Sequence, residues 1–222
     1  MNPDLRSIWQ RMQGLGLAAL AHANRHSAYI PIENGHWPEL SILQAAHAAE
    51  LLIKARIAQE HPLLVFEDLP KPKADDAPLN VKRLFEDGKT IQWSDLPQRL
   101  WAATGTRLPN VEAFREFGRL RNGVQHFAPP SGTDAGALTL KFVFEVIDPF
   151  IHGAWGLCAV DYDEDHEPYL YFVGALVSHE ILFHVSSEAA ACFNDWDVEW
   201  DKVPAAYRNE MHRRVSAALE VR

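Results

Sequence analysis

The chain has 222 residues, a length that suits one domain, or one domain with a substantial extension. Hydrophobic residues make up 47% and charged residues 23%, so an ordinary globular core can form without disulfide staples. The formal net charge of −9 argues against broad, passive nucleic-acid binding, which draws its affinity from phosphate neutralisation, and confines any such site to a focused, local one.

In chain order the sequence predicts an almost wholly helical protein. The start, MNPDLRSIWQRM, carries Asp4, Arg6 and Arg11 and lacks the basic-then-apolar pattern of a signal peptide. A first helix is expected over 3–24, with Leu5, Ile8, Trp9, Met12, Leu15 and Leu20 on one side and Gly14 and Gly16 weakening it. Residues 25–37 read as a loop, with Asn34-Gly35 as its turn signal. Residues 38–60 give the clearest helix: Ile42, Leu43, Ala46, Ala49, Ile53 and Ile57 make an apolar stripe. His47, Glu50 and Lys54 make a narrow polar one at spacings of three and four. His61-Pro62 ends it, and LLVFEDL packs onto the core. The proline- and charge-rich 70–78 reads as a loop. Two more helices are expected over 95–103 and 110–127, the second with Val111, Phe114, Phe117, Leu120, Val124 and Phe127 as its stripe and Pro129-Pro130 as its stop.

The run LTLKFVFEVIDPFIHGAW could alternate as a strand. Lys141, Glu145, Asp148 and His152, spaced four, three and four, favour a buried helix bent near Pro149. DYDEDHE, 161–167, is an acidic loop without the glycine of a calcium site. Further helices are expected over 168–194 and 204–220. The apolar 168–185 is interrupted by Glu180 and two histidines, so a buried helix is favoured over a membrane span. Cys158 and Cys192 read as small buried residues in a reducing compartment, and a cytoplasmic protein is the expectation. HEILFH has one residue too many for the zinc motif it superficially matches. The tryptophans of DWDVEWDK are expected to pack a C-terminal extension onto the main body.

The chemistry-bearing stretch is RNGVQH, 121–126. Arginine offers a planar fork of donors matched to phosphate oxygens, and histidine exchanges a proton near neutral pH. Together they can cleave RNA without metal: a base takes the 2′-hydroxyl proton, an acid protonates the leaving 5′-oxygen, and a fixed cation stabilises the charge on phosphorus. In a regular helix, residues five apart diverge by about 140°. So either the helix breaks, with Gly123 as the place, or a second copy of the chain completes the site. The plainer alternative is a helix C-terminus decorated by Arg and His to complement the dipole. For Glu50 the two readings are a carboxylate that holds Arg121 and a solvated Glu50–Lys54 pair.

AAHAAELLIKARIAQEHPLLVFEDL, a polar loop, then FREFGRLRNGVQHF resembles the HEPN superfamily (higher eukaryote and prokaryote nucleotide-binding domain) over about 38–155. Its signature is Arg, four to six residues, then His, with a polar residue after the Arg; Arg121, Asn122 and His126 match. The resemblance implies an all-α fold, a HEPN-like four-helix up-and-down bundle at 1–160, with 161–222 as a helical extension packed on it. It implies a metal-independent RNA endonuclease, often a toxin or defence effector. Arg121 and His126 would be catalytic, with Asn122, Glu50 and Arg119 binding substrate or shaping the site. It implies RNA as substrate, a homodimer with the motifs face to face, and an antitoxin or other regulatory protein as partner, with no cofactor, metal or membrane. The alternative is a HEPN-like module that binds RNA, nucleotide or protein without chemistry. Some toxin members carry a tyrosine two residues after the His that an antitoxin modifies; here Ala128 stands there.

Overall fold

A computed structural model describes residues 3–29, 31–32, 34–71, 78–164 and 169–220. Most of them are helical. The elements are α1 (Pro3–Arg6), α2 (Ile8–Ala28), α3 (Trp37–Glu60), β1 (Phe66–Asp68), α4 (Val81–Asp87), β2 (Lys89–Thr90), α5 (Leu96–Thr104) and α6 (Val111–His126). Then come α7 (Ala135–Phe142), a π-helical segment at Val143–Ile147, α8 (Asp148–Trp155), α9 (Leu170–Ser178), α10 (Ser187–Ala191) and α11 (Ala205–Glu220). Among the described residues no helix is long and apolar enough to cross a membrane. The loop expected at 70–78 lies mostly outside the described residues, as does the end of the one at 161–167.

Two compact units share the chain: residues 1–17 with 48–108, and residues 18–47 with 109–222. This division does not coincide with the expected boundary near 160. Helices α2 and α3 each contribute to both units. α3 is buried almost all round, through Ile42, Ala45, Ala49, Leu52, Ile53 and Ile57 among others, which is why its apolar residues overflow a single stripe.

In the first unit, Leu52, Ile53, Ile57, Leu96 and Leu100 are fully buried. Gly16 of α2 is there for contact: a Cβ on it would sit 2.8 Å from a Leu52 side-chain carbon of α3. His61 ends α3 and caps the 3-10 turn at Pro62–Val65, its Nδ1 accepting the Leu63 N–H at 3.3 Å. β1 and β2 pair antiparallel around α4. Gly88 joins α4 to β2, where a Cβ would meet the Phe66 ring at 2.7 Å.

In the second unit, Leu20, Ile42, Phe114, Leu140, Ile147, Phe172 and Phe183 form the dry core. Two buried polar contacts cross between elements: Asn24 Nδ2 donates to the Ala159 and Tyr162 carbonyls at 3.0 and 2.6 Å, and Ser41 bonds Thr139 at 2.8 Å. Trp196 packs against Phe183 and Phe193, and Trp200 lies edge-on to His212 of α11 at 4.8 Å.

Two expectations for helices need correction. The helix expected over 168–194 stops at Ser178. Glu180 takes φ +53, and the Ile181 N–H bonds the Leu176 carbonyl at 3.0 Å, so the chain leaves by a left-handed cap built without the usual glycine. Residues 181–186 then run without helix until Ser186 caps α10 through its hydroxyl. The 138–155 segment is helical, as its polar spacing predicts. However, its π-helical turn rotates α8 relative to α7, because an i→i+5 pattern takes in one extra residue. Lys141 stays exposed and Glu145 half-buried, 3.8 Å apart, whereas Asp148 is turned inward and fully buried.

Candidate functional site

The predicted motif lies at the C-terminal end of α6. Asn110 starts this helix, its side chain accepting the Ala113 N–H and donating to Glu145 at 2.9 Å. The apolar stripe buries only its first half. Phe114 and Phe117 pack on α7, with Phe117 stacked on Phe142 at 3.8 Å between ring centroids, while Phe127 is 91% exposed. The motif thus stands where the helix runs out of cover.

α6 does not break at Gly123. The Phe127 N–H bonds the Gly123 carbonyl at 2.9 Å, closing a regular turn through the motif. A glycine inside an exposed helix costs about 1 kcal/mol relative to alanine, which neighbouring turns absorb. The expected break is therefore corrected: Arg121 and His126 stay about 140° apart around the helix axis.

The faces sort the remaining candidates. Arg119, Asn122 and His126, at spacings of three and four, share one face, and all three are exposed. Arg119 lies loosely near Glu112 and Glu116, at 3.9 and 3.8 Å. Neither Asn122 nor His126 spends its side chain on a hydrogen bond to another described residue. Arg121 is half-buried on the other side, where its Nη1 donates to Gln125 Oε1 at 3.2 Å. The helix end itself presents carbonyl oxygens, which repel an anion. Any attraction for phosphate there must come from the guanidinium groups.

Glu50 belongs to the first unit, whereas the four motif residues belong to the second. Its Oε1 accepts from Lys54 Nζ at 2.6 Å, and the same ammonium donates to Thr90 at 3.0 Å. The i, i+4 pair read from the sequence is present, but it is not a solvated stripe: Lys54 is buried.

A second constellation went unread in the sequence. The carboxylate of Asp148, with no exposed surface, accepts three hydrogen bonds at 2.8 Å: the Ala159 N–H on Oδ1, and on Oδ2 both the His184 N–H and His184 Nδ1. His184 stacks on His152, with ring centroids 4.0 Å apart and planes within 18°. Desolvation, then the neighbouring His184, lowers the pKa of His152. Burial, then the Asp148 charge, pushes the Cys158 thiol up to about 12, so it is a packing residue rather than a nucleophile. Asp161 nearby is held up by burial, against the opposing pull of its bonds from Ser186 and Tyr169. Asp148 and His184 open onto a pocket of about 540 Å³ between α7, the 179–184 loop and Arg214 of α11. Among the described residues no group of three metal-ligating side chains converges.

No family model, curated protein or solved structure matches the chain.

Proposed function

We propose that the chain is a metal-independent RNA endonuclease of the HEPN type, a toxin or defence effector working from a four-helix bundle. The observation that carries this reading is the uncovered end of α6, where Asn122 and His126 face solvent side by side and make no structural bonds with described residues. His126 takes the 2′-hydroxyl proton or supplies one to the leaving 5′-oxygen, while Arg121 and Arg119 bind the phosphate. Asn122 positions the phosphate. Because an unbroken α6 keeps Arg121 away from His126, a second copy of the chain brings the complementary groups, making the working unit a two-fold dimer.

The purified protein should cleave single-stranded RNA in EDTA and leave 2′,3′-cyclic phosphate ends. His126→Ala should slow it by about 100-fold or more, the usual worth of a general acid or base. Undiminished cleavage by His126→Ala would refute the assignment.

The second reading is a HEPN-like module that binds RNA, nucleotide or a protein partner without chemistry. The unbroken helix and the net charge of −9 favour it. It predicts RNA retention without cleavage. Toxicity on expression that Arg121→Ala or His126→Ala relieves would exclude it.

A further inference from the structure

We propose that the pocket beside Asp148 is a binding site for a small oxyanion that also carries an O–H group. Arg214 takes the charged oxygens, and His184 Nε2 accepts the O–H. The site is separate from the α6 motif in its residues and does not depend on the reading of that motif.

Four observations converge on this pocket. Its volume, about 540 Å³, is within the range of small-molecule sites. Asp148 offers acceptor oxygens to Nδ1, so in the neutral imidazole Nδ1 carries the proton and Nε2 the lone pair. Nε2 has no bond to any described residue. Asp148 is itself immobilised by two backbone N–H groups, so the imidazole is set before any ligand arrives.

The cation is prepared in the same way. Arg214 donates Nε to Glu210 and Nη1 to the Phe183 carbonyl, both at 2.8 Å. These bonds fix the guanidinium plane and leave Nη2 without a described partner. Lys141 adds a second positive charge to the wall, and the carboxylates of Glu145 and Glu180 stand against it, so binding rests on the directed donors of Arg214 rather than on net charge. Glu180, held at φ +53, and His179 complete the polar lining. A strained residue, a π-helical turn and an oriented histidine around one cavity are the features that binding sites concentrate. A plain anion would meet the lone pair of Nε2. A hydroxy acid or a phosphate bearing a proton satisfies both groups at once.

The test is an NMR titration of the full chain, tracking the histidine Cε1–Hε1 signal that disappears in His184→Gln. Three probes are compared: inorganic phosphate, glycolate and acetate. Phosphate and glycolate should shift the signal saturably. Acetate, an anion without an O–H, should bind about tenfold more weakly than glycolate. Arg214→Lys keeps the charge but loses the fork, and should weaken glycolate binding by a similar factor with an unchanged circular-dichroism spectrum. The proposal is overturned by acetate binding as tightly as glycolate, by the absence of a saturable shift, or by a natively folded Arg214→Lys that binds glycolate as the parent does. The comparison of glycolate with acetate needs no variant, so a misfolded substitution does not spare the proposal.

Discussion

Replacing Asp148 with alanine should cost far more than an ion pair. The carboxylate has no exposed surface and accepts the Ala159 N–H, the His184 N–H and the His184 ring nitrogen. Truncation strands two backbone donors, one of them on the buried Ala159, and each buried donor left unsatisfied costs about 1–3 kcal/mol. The ring nitrogen matters less, since His184 is a third exposed and water can replace its acceptor. The expected loss is about 3–5 kcal/mol, in line with breaking other buried polar networks and a large share of ordinary stability. Urea unfolding should show a lower midpoint at unchanged slope, and the amides of Ala159 and His184 should lose protection against hydrogen exchange. His184→Ala, which leaves both backbone bonds in place, should cost about 1 kcal/mol. Equal losses in the two variants would refute the reasoning, because the backbone bonds would then carry none of the difference.

Glu180→Gly should stabilise the protein by about 1 kcal/mol, because it removes a side chain from a left-handed helix cap at φ +53. For a chain of this size that is a rise in Tm of about 2–4 °C, and a fall would show that the Glu180 side chain holds the 179–184 loop. His152 should titrate below its ordinary 6.5. Its stabilising contribution is then complete above about pH 6.5 and is lost as pH falls through the lowered value, since the unfolded chain takes the proton first. An NMR titration placing His152 at or above 6.5 would contradict this, and His152→Ala should flatten that limb of the stability profile.

The regular helices were legible because their apolar residues keep one period. α3, α5, α6 and α11 fall within a few residues of where periodicity, prolines and capping residues put them. The end of α9 was not legible. Ile181, Leu182 and Phe183 continue an apolar run, and the residue that stops the helix is a glutamate in a glycine's conformation. The π-helical turn was hidden for a related reason: the spacing of Lys141, Glu145, Asp148 and His152 presumes a constant period, which that turn breaks. At the motif, helix periodicity alone was enough to read the angle between Arg121 and His126. It did not show that Arg119 is the arginine sharing the exposed face of His126. The Asp148–His184 pair was beyond reach, for its members lie 36 residues apart and meet only through a loop whose course tertiary packing decides.

Neither unit is a continuous stretch of chain, and this governs how the molecule can be made. Residues 18–47 pack partly on one another, as His26 does on Trp37 at 4.2 Å, but the rest of their own unit comes after residue 108. Until then the stretches of α2 and α3 that carry Leu20, Ala23, Ile42 and Ala45 present apolar surface with no lasting cover. The first unit is fully synthesised at residue 108 but has the waiting segment looped out of its middle. No single cut yields either unit intact. A fragment ending after α5 carries an unsatisfied apolar segment, and one beginning at α6 lacks the Asn24 and Ser41 partners of its buried polar groups. The second unit is thus completed only once residues beyond 108 are made, and dependence on folding helpers should concentrate while residues 48–108 are being added.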